Sequence, residues 1–257
     1  MGDILTRFVL PPRCVSLSPS GIHLAAGGDD DMIKMIDIQN KKVFKSIKCG
    51  GYVRGLEYDP ESIFLATTCA DGTFTVYEIS SGNVMLSKRK GCTKVDPGSP
   101  SRVVPSWHPD GGSLVAVPCH DGSIALYERL SWDVTDELSG GHESPVQLVK
   151  FSKNGLYLAT TANDKTVAVW DMSDKMMIQK KVLPACACGM IWHPTENKIV
   201  FGMEDGTVTA WENPVPATLP GPCQDVDLAA ADGGRGNALV GACNSHSFSL
   251  HRLLLKN

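Results

Sequence analysis

Short runs of alternating apolar and polar residues recur along this chain, and residues 142–171 show them most clearly. His142-Glu143-Ser144-Pro145 leads into VQLVKFSKNG and then LYLATTANDKTVAVWD. Val146 to Phe151 roughly alternates, as a half-buried strand does. Lys153-Asn154-Gly155 reads as a turn, Leu156 to Thr161 as a second strand, and Ala162-Asn163-Asp164-Lys165 as a tight turn. Thr166 to Asp171 is a third strand, and Lys175 to Val182 an outer strand leading into the next unit. Short strands punctuated by turn residues at this spacing predict a four-stranded antiparallel unit.

The same plan returns. First turns fall at Ser18-Pro19-Ser20-Gly21, Asp59-Pro60-Glu61-Ser62, His108-Pro109-Asp110-Gly111 and His193-Pro194-Thr195-Glu196. Pro, Asp and Gly preset or permit the dihedrals a turn requires. Second turns hold Asp29-Asp30-Asp31, Asp71-Gly72, Asp121-Gly122 and Asp205-Gly206. Asp-Gly between two β runs is a strong hairpin signal. Five units end on a bulky residue followed by an acid: Ile36-Asp37, Tyr77-Glu78, Tyr127-Glu128, Trp170-Asp171 and Trp211-Glu212, spaced 41, 50, 43 and 41 residues apart. A period of roughly 40–45 residues with a Trp-Asp-like ending is the mark of an all-β propeller built from WD repeats. Residues 1–216 are therefore read as propeller blades.

Residues 237–252, NALVGACNSHSFSLHR, are read as a weak sixth repeat, with His251 where a Trp is expected. Residues 217–257 are thus a weak sixth repeat or a divergent tail, expected to belong to the same propeller. The Pro-rich stretch Asn213 to Pro222 reads as a linker. Ile4 to Phe8 is read as a β run, either closing a sixth blade or remaining as the outer strand of a lost neighbour. The insertion at 88–102, KRKGCTKVDPGSPSR, accounts for the 50-residue spacing and has the composition of an exposed, solvated loop.

Hydrophobic content of 42% is ample for a core. No run of about 18 apolar residues predicts a membrane span, and the N-terminus lacks the pattern of a secretory signal. Nine cysteines, scattered mostly singly, then read as reduced and mostly buried thiols of an intracellular protein. A net charge of −4 with interspersed signs speaks against direct nucleic-acid binding.

The most specific constellation is structural. His142, Thr160, Asp164 and Trp170 occupy the positions of the hydrogen-bonded tetrad of WD repeats. The indole N–H would donate to the hydroxyl, the hydroxyl to the imidazole, and the imidazole to the carboxylate, as buried polar groups require. The set resembles a hydrolase triad only superficially. Cys186-Ala187-Cys188 is read as core thiols, because a zinc site needs four ligands and no second pair is near. Cys119-His120 has no partner pair, and His108 and His193 repeat one turn. Neither a phosphate-cradling loop nor a nucleophile elbow occurs. Asp232-Gly233-Gly234-Arg235-Gly236 reads as a plain loop. No enzyme, metal or cofactor is implied.

The wording of the repeats resembles one family more closely than WD repeats in general. GDILTRF, followed by SPSGIHLAAGGDDDMIKMIDI, is similar to the third blade of the replisome adaptors. These are the acidic nucleoplasmic, WD-repeat and HMG-box DNA-binding proteins and the fungal chromosome-transmission-fidelity adaptor. Further matches are YDPESIFLATTCADGTFTVYEIS at 58–80, the loop with Lys90-Gly91-Cys92, and SLVAVPCHDGSIALYERLSW at 113–132. YLATTANDKTVAVWDM at 157–172 and GMIWHPTENKIVFGMEDGTVTAWENPVP at 189–216 complete the resemblance, which covers about residues 2–216.

The resemblance implies seven blades. It also implies a nuclear, non-enzymatic scaffold that links the replicative helicase to DNA polymerase α-primase in replication, repair and cohesion. Two upstream blades, the family's second domain and an HMG box are not in this sequence, so the resemblance implies a fragment, a truncated gene model or a divergent short relative. Loop position makes Arg13, Tyr52, Arg102 and Glu143 the candidate partner surface, with a short acidic or hydrophobic peptide as ligand. Rival readings are a generic WD scaffold, such as a ubiquitin-ligase substrate receptor or chromatin-complex subunit, and a direct DNA-binding protein.

Overall fold

The structure, a computed structural model, describes residues 4–88, 91–96, 99 and 101–216. These residues form five antiparallel sheets, each a propeller blade whose strands pair in chain order. The first blade is β1 (Pro12–Leu17), β2 (His23–Gly28), β3 (Met32–Asp37) and β4 (Lys42–Lys48). The second is β5 (Val53–Tyr58), β6 (Phe64–Cys69), β7 (Phe74–Glu78) and β8 (Val84–Lys88). The third is β9 (Ser106–Trp107), β10 (Leu114–Pro118), β11 (Ile124–Glu128) and β12 (Val134–Leu138). The fourth is β13 (Val146–Phe151), β14 (Tyr157–Ala162), β15 (Thr166–Asp171) and β16 (Met177–Val182). The fifth holds β17 (Ala187–Trp192), β18 (Lys198–Met203) and β19 (Val208–Glu212). The weak repeat at 237–252, most of the linker and the Gly-rich loop at 232–236 lie outside the described residues.

The core is divided among the seams between blades. Successive side chains of a strand point to opposite faces, and here the two faces serve different seams. In β6, Leu65 packs with Cys14, Ile33 and Met35 of the first blade, while Ala66 joins Trp107, Val115 and Val117 of the third. In β14, Leu158 faces Ala116 and Leu126, whereas Tyr157 meets Met190, Ile199 and Phe201. Second strands are thus buried on both faces and read as near-continuous apolar runs such as LVAVP and YLATTA. Each large aliphatic or aromatic side chain buried this way contributes about 1.5–3 kcal/mol.

Hydrogen bonds stitch the inner strands across the seams. The indole of Trp107 donates to the carbonyl of Glu57 at 3.1 Å, and that of Trp192 to the carbonyl of Lys150 at 2.9 Å. At the alternate seams a serine hydroxyl accepts instead: Ser16 from the Tyr58 N–H at 3.1 Å, Ser106 from the Phe151 N–H at 3.3 Å.

Three expectations are corrected. Residues 4–8 form no strand and pair with no sheet among the described residues. The segment lies instead against β3, where Lys34 sits 4.5 Å from the Phe8 ring centroid and bonds the Arg7 carbonyl. The insertion is not simply a solvated loop either. The backbone of Cys92 pairs with that of Cys119 in an isolated antiparallel β-bridge, the Val95 N–H bonds the Ala70 carbonyl at 2.9 Å, and Thr93 and the adjoining Val103 are fully buried. The Val103 N–H then reaches Arg54 and the Val104 N–H reaches Gln147. The insertion takes the space a full inner strand would use, so β9 has only two residues. Lys150 consequently reaches Glu57 of the second blade across this short strand in an ion pair. Finally, Cys186 is half-buried and Cys188 exposed. No blade covers the outer face of the fifth sheet among the described residues. The remaining described cysteines, Cys14, Cys49, Cys69, Cys92 and Cys119, are buried free thiols.

Candidate functional site: a central cavity on the loop face

The connections from β2 to β3, β4 to β5, β6 to β7, β10 to β11, β12 to β13 and β14 to β15 all open on one end of the propeller. There they surround a cavity of about 770 Å³. The first blade contributes Asp31 and the second Gly51, Tyr52 and Asp71. The insertion adds Lys94, Val95 and Asp96, the third blade His120, and the fourth Gln147 and Asn163.

Tight turns hold the carboxylates. Asp71 accepts the Thr73 N–H at 2.9 Å and the Thr73 hydroxyl at 2.8 Å. Gly72, at φ 83°, supplies the left-handed residue that this turn needs. Asp31 occupies a comparable turn at φ 58°. One oxygen of Asp31 is shut off from solvent with no hydrogen-bond partner. Gln147 is 7% exposed, and its carboxamide, without a hydrogen bond among the described residues, keeps contact with the solvent of the cavity. Gly50 and Gly51 lie beside Asp71 and put no side chain into the space next to its carboxylate.

Beside the cavity lies an ion cluster. Arg13 meets Asp29 at 2.7 Å, and the fully buried Arg54 reaches the other Asp29 oxygen at 2.5 Å. Partial burial raises the Asp29 carboxyl, but hydrogen bonds from Arg13 and Arg54 override that and hold it below the ordinary range. Arg54 also sits 5.5 Å from the Tyr52 ring centroid, fixing the aromatic at the cavity lip.

Of the expected surface residues, only Tyr52 lines the cavity. Arg13 is engaged with Asp29. Arg102 is half-buried, with its Nε shut off from water. Glu143 is exposed, and its N–H caps Asp164 at 3.1 Å. Asp31, Lys94 and Gln147 were missed by sequence reasoning. The aspartates were legible as turn residues, but nothing local marks Gln147 as facing a cavity.

The fourth blade holds a polar network remote from the solvent. Trp170 Nε1 donates to Thr160 Oγ1 at 3.0 Å, and Thr160 Oγ1 lies 2.7 Å from His142 Nε2. The expected imidazole-to-carboxylate contact is not direct: His142 Nδ1 is 3.8 Å from Asp164 Oδ1. Thr166 intervenes, its Oγ1 lying 2.8 Å from His142 Nδ1 and donating to Asp164 Oδ1 at 2.5 Å. Desolvation lowers His142 to about 4, against a smaller opposing pull from Asp164, so the ring is neutral at pH 7. A neutral ring protonated on Nδ1 satisfies every partner: Thr160 donates to Nε2 and Nδ1–H donates to Thr166. Burial raises Asp164, and bonds from Thr166 and the Glu143 N–H more than offset it, leaving it below the ordinary value. The hydroxyl was legible: Asp71-x-Thr73, Asp121-x-Ser123 and Asp205-x-Thr207 repeat the motif, each with the hydroxyl bonded to the aspartate.

Comparisons with known proteins agree with this architecture. A family profile described as the WDHD1 first WD40 domain matches residues 1–210. The chain is 32% identical over 219 residues to WD repeat and HMG-box DNA-binding protein 1 of Mus musculus, covering 82% of this chain and 19% of that protein. It is 22% identical over 219 residues to Minichromosome loss protein 1 of Schizosaccharomyces pombe, covering 84% and 26%. Protein HIR1 of Candida albicans is 26% identical over 224 residues, covering 75% and 24%. The chain thus spans about a fifth to a quarter of the length of these relatives.

Proposed function

The chain belongs to the family of the WDHD1 first WD40 domain, and on that premise we propose that it is a non-enzymatic protein-docking scaffold of replicating chromatin. It works in the nucleus and holds partner proteins on the loop face of the propeller. The finer reading is that those partners include the replicative helicase and DNA polymerase α-primase, in replication, repair and cohesion. The observation carrying it is the family match along residues 1–210. The central cavity gives that role a physical seat, because a concave site gathered from several blades can be matched by one partner segment. Net charge of −4 supports protein rather than DNA as the direct ligand.

The test is to tag the protein in dividing cells, pulse-label nascent DNA, and recover chromatin before and after a chase. Enrichment on pulsed over chased DNA, with helicase and polymerase α-primase subunits co-recovered, is expected. Equal recovery before and after the chase would remove the fork reading. It would favour a general chromatin scaffold, a reading to which the likeness to Protein HIR1 lends support. Absence from both would remove the nuclear one.

A further inference from the structure

The lining of the loop-face cavity has a definite chemical bias. Asp31, Asp71 and Asp96 contribute three carboxylates, against the single ammonium of Lys94. His120 accepts the Lys94 N–H on Nδ1 at 3.4 Å. Of the neighbouring cations, Arg13 and Arg54 each pair with Asp29, which lies outside the lining. A second observation is independent of charge. The Gln147 carboxamide is 7% exposed, faces the same cavity and has no hydrogen-bond partner among the described residues. Its amide N–H and carbonyl groups keep contact with the cavity solvent and are open to a ligand's peptide group. Apolar wall is supplied by Tyr52, Ala70, Val95 and Pro145, suited to an aliphatic stem.

We propose that this cavity binds a basic peptide segment, with an arginine or lysine head group on Asp31 and Asp71 and the adjacent peptide group on Gln147. The proposal rests on the docking-scaffold reading and names its ligand class. It replaces the acidic or hydrophobic peptide expected from loop position, because a carboxylate-lined cavity repels a second carboxylate. Asp31 and Asp71 stand on successive blades, and Gly50-Gly51 puts no side chain into the space next to the Asp71 carboxylate. A charge-assisted hydrogen bond there is stronger than a neutral one.

The whole chain would be titrated by fluorescence anisotropy against labelled oligo-arginine, oligo-glutamate and Gly-Ser peptides of equal length. Saturable binding of oligo-arginine alone is expected, weakened about tenfold or more in the Asp31→Asn/Asp71→Asn double variant, equivalent to about 1.4 kcal/mol. The control Asp133→Asn/Asp174→Asn removes the same charge from exposed turns at the other end and should change binding less than about twofold. Gln147→Leu should also weaken it. Tyr52→Ala serves as the reporter should the double Asn variant melt early. Equal loss in the control pair overturns the proposal as a mere long-range field. Preference for oligo-glutamate that Tyr52→Ala abolishes overturns the ligand class and leaves the docking face standing. No binding of any peptide, with fork association in cells intact, overturns the ligand class alone. No binding together with lost fork association overturns both readings.

Discussion

The hydroxyl of Thr166 lies 2.8 Å from His142 Nδ1, which makes it the link between the imidazole and Asp164. The blade-four network is therefore a five-membered relay in which each proton has one acceptor: Trp170, Thr160, His142, Thr166 and Asp164. Removing the Thr166 hydroxyl would strand the His142 Nδ1–H, while Asp164 Oδ1 would keep only the Thr166 N–H at 2.9 Å. Thr166→Val, close in shape, is expected to cost about 1–3 kcal/mol in urea unfolding, with Thr166→Ser recovering most of it. Equal stabilities of the Val and Ser variants would contradict the relay.

Trp170 closes the other end of that relay and is 2% exposed. A Cβ added at Gly141 would lie 2.3 Å from its ring, so the indole fills its slot tightly. Trp170→Ala should cost roughly 3–5 kcal/mol, from the cavity and the orphaned hydroxyl. A loss under about 1 kcal/mol on chemical unfolding would show that the network carries little of the blade's stability.

The depressed His142 gives a signed pH dependence. Its folded value near 4 lies below the ordinary 6.5, so the unfolded chain binds the proton more readily between those values. Stability from this residue is complete above pH 6.5 and is lost as pH falls toward 4. The total is about 3 kcal/mol. Asp164 and Lys180 are the charges acting on the ring, with opposite effects. Comparing wild type with His142→Asn between pH 7 and 4.5 isolates this contribution. A difference in unfolding free energy that does not shrink with falling pH would contradict it.

Equivalent glycines should respond unequally. A Cβ at Gly55 would stand 1.9 Å from the Val103 carbonyl, because the next blade's backbone passes directly over it. At Gly189, the same bulge position in the fifth blade, a Cβ meets nothing within 4 Å. Gly55→Ala is expected to cost more than about 3 kcal/mol and Gly189→Ala less than about 1 kcal/mol. Similar melting temperatures for the two variants would refute the packing difference.

Much of the blade plan was legible in the chain. Val146 to Phe151 and Thr166 to Asp171 are strands with the bounds their alternation predicted. Asp-Gly turns join the second and third strands where expected. Ile4 to Phe8 had strand composition but pairs with no sheet among the described residues, and composition does not report pairing. The loop 88–102 read as solvated because of its Pro, Gly and Lys content, yet Cys92, Thr93 and Val95 anchor it to three blades.

By itself, the sequence determined the repeat period, the strand order and the fourth blade's His, Thr, Asp and Trp. Alternation, turn dihedrals and motif spacing act over a few residues and need no knowledge of neighbours. Only the tertiary structure decided that Thr166 separates His142 from Asp164 and that the insertion replaces most of an inner strand. It also placed Asp31, Asp71, Asp96 and Gln147 around one cavity. Those residues stand more than a hundred positions apart at the extremes, and they meet because twisted sheets packed around an axis bring the same turn of each blade to the same end.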